Sequence, residues 1–395
     1  MAPHKERGKS EGMNIQTILS ADDRDWAAGV SGKIADKMKQ VVNRSRDKIP
    51  YRTDNGVFDD CSSREKIGWW TNGFWGGILW QLFHATGEEL YREEALKVET
   101  KLDPVLMNYD VMDHDSGFRW LPTAVAHWRV EKNHESENRA LLAAANMTGR
   151  FNLAGRFIRA WNAFDDRDRR GYAIIDCMMN LPLLYWASRV TEDPRFAQIA
   201  MAHADTAMKA FVREDGSVNH IVNFNINTGE ILGPVPGQGM NPNSSWTRGQ
   251  SWGIYGFTLS FLHSGKAEYK KTAERIADYV LSVIPESNLV PVDYCQPRDV
   301  LWEDSTAAAI TACGLIELAK CEDDAARAKK YLDKALALLK TLDEKRCCWD
   351  MARDELLEKC TAAYHDTEHD FTIIYGDYYF IEAVYKLSGT ELFIW

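Results

Sequence analysis

One order of elements recurs along the whole 395-residue chain and limits its folds more than any other feature. A polar turn leads into an aromatic-rich helix with no polar face; a short acidic or glycine turn follows, then an amphipathic helix. "WTNGFWGGILWQLFHATGEELYREEALKV" shows the unit, and "IIDCMMNLPLLYWASRVTEDPRFAQIAMAHA" repeats it. "WTRGQSWGIYGFTLSFLHSGKAEYKKTAERIADYV" and "WEDSTAAAITACGLIELAKCEDDAARAKKYLDKALALL" are further copies, and "YGDYYFIEAVYKL" is a closing half. In the amphipathic member, Tyr269, Ala273, Ile276, Ala277 and Val280 fall on one face, the mark of an outer helix. "SWGIYGFTLSFL" is apolar all round and must be buried on every side. Six such buried helices open near Gly73, Gly117, Asp176, Gly249, Asp304 and Asp377, each preceded by an amphipathic partner. The expected fold is all-α, a closed (α/α)6 barrel of six hairpins. An open solenoid reads similarly but calls for polar capping repeats.

One segment departs from the pattern. Residues 216–245 alternate and then turn rich in Gly, Pro and Asn, which predicts a β-hairpin turning at Asn227-Thr228-Gly229 followed by a long loop. Loops of that length inside compact domains usually serve function. No linker composition divides the chain, so a single catalytic domain is expected over residues 21–395, after a flexible leader at 1–20. No apolar run is long enough for a membrane span. The eight cysteines, Cys61, Cys177, Cys295, Cys313, Cys321, Cys347, Cys348 and Cys360, are scattered, several in helical patterns, which points to a reducing, cytoplasmic compartment. No metal-binding spacing occurs, and neither a metal nor a cofactor is expected. With 47 Lys plus Arg against 58 Asp plus Glu the formal charge is −11, which argues against nucleic acid as a partner; a monomer or weak homo-oligomer is expected.

In a ring of this kind all inner helices run the same way, so their N-termini converge on one mouth. Residues at those first turns are rich in chemistry: Trp69, Trp70 and Asn72; Asp113, His114 and Asp115; Asp176; Trp246, Arg248, Gln250 and Trp252; Asp304; Tyr375, Asp377 and Tyr378. Helix N-termini favour anions, and aromatic walls beside carboxylates suit a sugar. Structural roles compete for the same residues. Asp176, Asp304 and Asp377 all stand where an N-cap is expected, the tryptophans suit a core, and His114 suits a core or loop. Arg248 at the start of a buried helix needs an anionic partner, a neighbouring Asp or a ligand. Asp176 is the most demanding, because a carboxylate inside "GYAIIDCMMNLPLLYW" must be paired, hydrogen-bonded or protonated.

"DHDSGF", "IIDCMMNLPLLYWA", "SSWTRGQSWGIYGF", "DSTAAAITACGLIELA" and "YGDYYFIEA", in that order from about Trp70 to the C-terminus, resemble the unsaturated glucuronyl hydrolases of glycoside hydrolase family 88. That family's (α/α)6 barrel agrees with the repeats. The resemblance implies removal of a 4,5-unsaturated uronic acid from the non-reducing end of lyase-generated oligosaccharides. It implies Asp176 as general acid and base and Asp115 as its essential partner. Trp70, His114, Trp161, His220, Gln238, Arg248, Trp252 and Tyr378 match positions lining the substrate site. Arg248, with Gln238, would bind the substrate carboxylate, and Trp252 or Trp161 would stack on the ring. Members acting on sulfated disaccharides carry Ser and Lys before the last motif, where this chain has "TAAYHDTEHDFTIIYGDYYF", with Asp366, Glu368 and Asp370. Acidic groups repel sulfate, which implies unsulfated substrates. The rival readings are an unsaturated rhamnogalacturonyl hydrolase with the same chemistry, a non-catalytic sugar-binding barrel, and a barrel epimerase, which would need histidine bases where this mouth offers Asp and Trp.

Overall fold

The computed structural model describes residues 13–162 and 168–395. Its helices alternate between an outer and an inner layer. The outer layer begins with α1 (Ala21–Arg44), followed by the inner α2 (Phe74–Thr86) and the outer α3 (Glu89–Lys101). The inner α4 spans residues 116–131, then come the outer α5 (His134–Thr148), inner α6 (Leu181–Thr191) and outer α7 (Pro194–Ala210). The inner α8 (Thr247–Ser264), outer α9 (Ala267–Val283), inner α10 (Ser305–Lys320), outer α11 (Ala325–Lys345) and inner α12 (Ile374–Ser388) complete the series. α12 packs on both α10 and α2, so the inner ring closes and the solenoid alternative fails.

The two layers form for the reasons the pattern implies. Residues Phe74 to Leu82 of α2 are buried on every side, and each large apolar side chain so buried contributes about 1.5–3 kcal/mol. The outer helices bury one stripe only, and α5, α7 and α11 carry capping side chains: Asn133 accepts from the Ser136 amide, Asp193 from Arg195 and Asp324 from Ala326. Ser20 and Asp23 form a reciprocal capping box on α1. α4 is interrupted. Its middle turn, Leu121–Val125, is a π-type widening that contains Pro122, which has no amide hydrogen for a regular helix.

Of the flexible leader expected at 1–20, residues 1–12 lie outside the described residues. Residues 13–20 are docked rather than frayed. Ile15 and Leu19 are buried, and the Met13 amide donates to Lys320 O at 2.8 Å.

The expected hairpin is present and is part of something larger. The short ribbons β1 (Thr53–Asp54) with β2 (Val57–Phe58), and β3 (Phe151–Asn152) with β4 (Phe157–Ile158), lie outside it. β5 (Tyr172–Ile174), β6 (Ile221–Phe224) and β7 (Ile231–Val235) form an antiparallel sheet with β6 in the centre. β5 leads straight into Asp176, so the sheet joins the insertion to the inner ring.

Candidate active site

The two acids occupy the mouth ends of adjacent inner helices. Asp176 lies in a 3-10 turn, Ile175–Met179, just before α6, and Asp115 directly precedes α4. Between them sits Asn180, fully buried. Its Nδ2 donates to Asp115 Oδ1 at 3.3 Å and to the backbone carbonyl of Asp176 at 3.2 Å, while its Oδ1 accepts from the Phe118 amide at 2.7 Å. Gly117 makes this clamp possible: a Cβ there would lie 2.5 Å from the Cα of Asn180. Asn180 was missed in the sequence. Its signal was a polar residue between Met179 and Leu181, because a buried amide must satisfy its hydrogen bonds.

β5 and β6 fix the next neighbour. The Ile175 amide donates to His220 O at 3.1 Å, and His220 Nε2 lies 3.7 Å from Asp176 Oδ1. His220 Nδ1 accepts from the Gln238 amide at 2.9 Å, which places the ring proton on Nε2, toward the acid. Burial drops His220 to about 3 and His114 to about 4, so both imidazoles are neutral near pH 7. His114 Nε2 is 3.4 Å from Asp115 Oδ2, and Asp113 Oδ1 accepts the Asp115 amide at 2.9 Å.

Burial pushes Asp176 up to about 7, against the smaller opposing pull of Arg248. Burial also raises Asp115 well above the carboxylate range, and the charges of Asp113 and Asp176 add to that rise. Desolvation dominates at Asp176, and the like-charge effect falls on Asp115. Asp176 Oδ1 is buried without a close hydrogen-bond partner among the described residues, and the Trp252 indole lies near enough to Asp176 to favour its ionised form.

Arg248 is wholly buried and its anionic partner is a neighbouring Asp: it pairs with Asp304 and donates to Thr361 O at 2.7 Å. Its guanidinium lies 4.5 Å from the Trp246 ring centre and 5.6 Å from that of Tyr375. Gln238 bridges two loops, with Nε2 donating to Ala362 O at 3.1 Å. Trp70 is half-buried against Tyr375 and Phe118, at 5.0 and 5.5 Å. Trp161 follows Ala160, whose carbonyl accepts the His114 amide at 3.0 Å.

Three expectations need correction. Trp252 is fully buried between Phe118 and Tyr379, so it forms the floor beneath Asp176 and has no open face on which a sugar ring could stack. Tyr378 is also fully buried, one turn deeper on α12 against Phe74 and Trp395; Tyr375, buried as well, is the tyrosine that packs on Trp70 and Arg248. Of the three expected caps only Asp304 caps its helix, accepting from the Thr306 amide at 3.1 Å. Asp377 instead accepts the Leu356 and Leu357 amides at 3.1 and 2.7 Å, latching a loop onto α12.

The acidic loop is less repulsive than its composition implies. Glu368 pairs with Arg52 at 2.6 Å and Asp370 with Lys359 at 2.9 Å. One metal-like grouping exists among the described residues, Cys348, Glu355 and Glu358, but Arg353 pairs with both carboxylates and leaves little charge for an ion.

Comparison with known proteins shows the chain to be a glycoside hydrolase. No family-level sequence model matches the chain. An unsaturated glucuronyl hydrolase of Bacillus sp. strain GL1 is 37% identical over 352 residues, covering 87% of this chain and 91% of that protein. An unsaturated chondroitin disaccharide hydrolase of Streptococcus pyogenes serotype M1 is 31% identical over 328 residues, covering 80% of each. The crystal structure of the Bacillus sp. GL1 unsaturated glucuronyl hydrolase superposes with a TM-score of 0.83 at 34% identity, over 92% of this chain and 96% of that one. The chain belongs to the unsaturated glucuronyl hydrolase family.

Proposed function

We propose that this protein removes a 4,5-unsaturated glucuronate from the non-reducing end of lyase-generated oligosaccharides, with Asp176 as general acid and then general base. The observation that carries the reading is a carboxyl group raised to about 7 on a floor of aromatic rings, clamped through Asn180 to a second raised acid. An enol ether asks for such a group. Asp176 delivers its proton to C4, and the C4=C5 electron pair forms the new C–H bond. Positive charge spreads over C5 and the ring oxygen. Water adds at C5 and gives its proton to the Asp176 carboxylate, restoring the acid. The hemiketal opens to a C5 ketone, and the C1 hemiacetal then expels the leaving sugar as an alcohol. A positioned acid matched to neutral pH supplies about 10²–10⁴-fold.

Gln238, half-buried at the mouth, receives the substrate carboxylate, and Arg248, buried and already paired with Asp304, supports the same cycle through its charge. Its pull is the largest influence holding Asp176 down, so an anion bound beside it relieves that pull and favours the protonated acid. Asp115 and His114 orient the sugar hydroxyls. The cations beside the acidic loop, Arg52 and Lys359, are already paired, which supports a preference for unsulfated substrates. Eight unpaired cysteines support a reducing, cytoplasmic site of action. No helix among the described residues is long and apolar enough to cross a membrane.

The test is a panel of lyase-generated disaccharides in which the 4,5-unsaturated uronate, the same residue whether it derives from glucuronate or galacturonate, is joined either to an amino sugar, with and without sulfate, or to rhamnose, followed by loss of the double bond's ultraviolet absorbance. Turnover is expected for the amino-sugar series, fastest without sulfate. Turnover of the rhamnose-linked series alone assigns the rhamnogalacturonyl activity instead, and binding without turnover assigns a sugar-binding barrel.

The pH profile has a defined sign. The acid must carry its proton in the free enzyme, so kcat/KM for the unsulfated disaccharide is expected to fall as pH rises through about 7. A flat profile from pH 6 to 9 contradicts the assignment of Asp176 as the acid.

A further inference from the structure

Residues 389–395, which follow α12, turn back into the ring. At Gly389 φ is +77°, the left-handed region that glycine favours, and the Thr390 amide donates to Tyr385 O at 3.0 Å. Leu392 is then held to α2 on both sides of its backbone. Its amide donates to Gln81 Oε1 at 2.9 Å, and Gln81 Nε2 donates to its carbonyl at 2.8 Å. The Trp395 carbonyl accepts from Arg129 of α4 at 3.2 Å. These bonds to two inner helices deliver the Trp395 side chain into the interior, where it is 1% exposed.

What Trp395 meets there is the underside of the site. Its indole lies nearly parallel to the Tyr379 ring, with centres 5.9 Å apart, and edge-on to Phe118 at 6.2 Å. Tyr379 and Phe118 are the two rings that enclose Trp252, at 5.5 and 5.3 Å. Trp252 in turn is the floor beneath Asp176, so both supports of that floor rest on one indole. The indole is fixed in orientation as well as in place. Its Nε1 donates to Glu382 Oε2 at 2.7 Å, and Glu382 is itself held by Tyr255 and Lys386. Close-packed interiors pass strain from one ring to the next.

We propose that Trp395 is a positioning residue for the hydrolysis, acting on Asp176 through Tyr379, Phe118 and Trp252. Buried below the floor, it touches no sugar. A smaller side chain leaves space bordered by the Glu382 carboxylate, a polar lining that admits water. Burial is the largest influence on Asp176, so water beneath its floor moves it toward the ordinary carboxylate range. The titratable and charged groups around Asp176 are His220, Asp115, Arg248, Cys177 and Tyr379, and all of them remain when Trp395 is replaced. The proposal rests on the hydrolase reading above, and its test separates the two. Trp395→Leu and Trp395→Phe are assayed on the unsulfated disaccharide beside Trp80→Leu, which removes another buried indole, stacked on His127 at 5.1 Å. Trp395→Leu is expected to lower kcat about tenfold to a hundredfold, the scale of a misplacement of about 1 Å, with KM within about twofold. The basic limb of its kcat/KM is expected at lower pH. Trp395→Phe keeps a ring but gives up the bond to Glu382, and is expected to lose about threefold in kcat with a smaller move of the limb in the same direction. Trp80→Leu is expected to melt lower, with the kcat and limb of the wild type. Wild-type kcat and limb in either folded Trp395 variant, or the same losses in Trp80→Leu, overturn the positioning role. No turnover of the disaccharide by the wild type overturns the hydrolase reading itself.

Discussion

Asp176→Asn loses turnover by at least about 10²–10⁴-fold while keeping its fold and its affinity for the unsaturated disaccharide. Asparagine fills the same space at the head of α6 and leaves the Asn180 clamp intact, because Asn180 bonds to the backbone carbonyl of residue 176 and not to its side chain. What disappears is the transferable proton. Single-turnover absorbance measures the loss, and calorimetry with the uncleaved disaccharide measures the binding. Near-normal turnover removes Asp176 from the mechanism.

The same variant carries a stability signature of definite sign. Folded Asp176 titrates at about 7, against 3.8 for the ordinary group. The folded chain therefore holds this proton more tightly than the unfolded chain. That contribution is fully present below about pH 4 and is lost as pH rises through about 7. Asparagine has no proton to lose, so Asp176→Asn is expected to melt above the wild type at pH 8 and close to it at pH 4. Asp377, also pushed to about 7 by burial, keeps its own slope in both proteins, so the difference between them isolates residue 176.

The second large effect lies two inner helices further round the ring. Asp304→Asn leaves the Arg248 guanidinium buried without its counter-charge, since the two side chains are 0% and 1% exposed. Breaking one half of such a pair costs about 3–5 kcal/mol, to be read from the shift in denaturant midpoint. The variant is expected to report electrostatically as well. With Asp304 neutral, the Arg248 cation acts on Asp176 without compensation and lowers its pKa. The basic limb of kcat/KM then moves to lower pH. A full stability loss with an unmoved limb means that Arg248 does not set the titration of Asp176.

The barrel was legible because its two helix types bury different amounts of surface, and residue order records that difference as a full or a one-sided apolar pattern. The hairpin was legible from Asn227-Thr228-Gly229, whose chemistry is local. β5 was hidden, because three residues at the front of an apolar run carry no periodicity of their own and pair only with a strand some fifty residues away. The three aspartates at helix starts looked alike because capping depends on backbone angles that residue order does not record. Asp304 stands at the boundary of α10, Asp176 lies within a 3-10 turn and Asp377 within the first turn of α12. Tyr375 and Tyr378 share a face at i, i+3 spacing, and only depth along α12 separates the one at the mouth from the one below it. Likewise Trp252 and Trp69 are the same residue type near the same mouth, and the packing of neighbouring rings buries the one wholly and leaves the other 46% exposed.

The bond from Ile175 to His220 makes the acid and its imidazole neighbour parts of one ribbon. Alternation along β6 then governs which side chains meet the sugar, and inserting one residue within Ile221–Phe224 turns its side chains to the opposite face and carries His220 away from the acid. The turn at 225–230 lies beyond the paired residues but is seated on the neighbouring ribbon: Asn152 Nδ2 donates to Ile226 O at 2.9 Å, and a Cβ on Gly229 would lie 2.2 Å from Ala154 O. The length of the strand and the seating of its tip thus both keep the imidazole beside the acid.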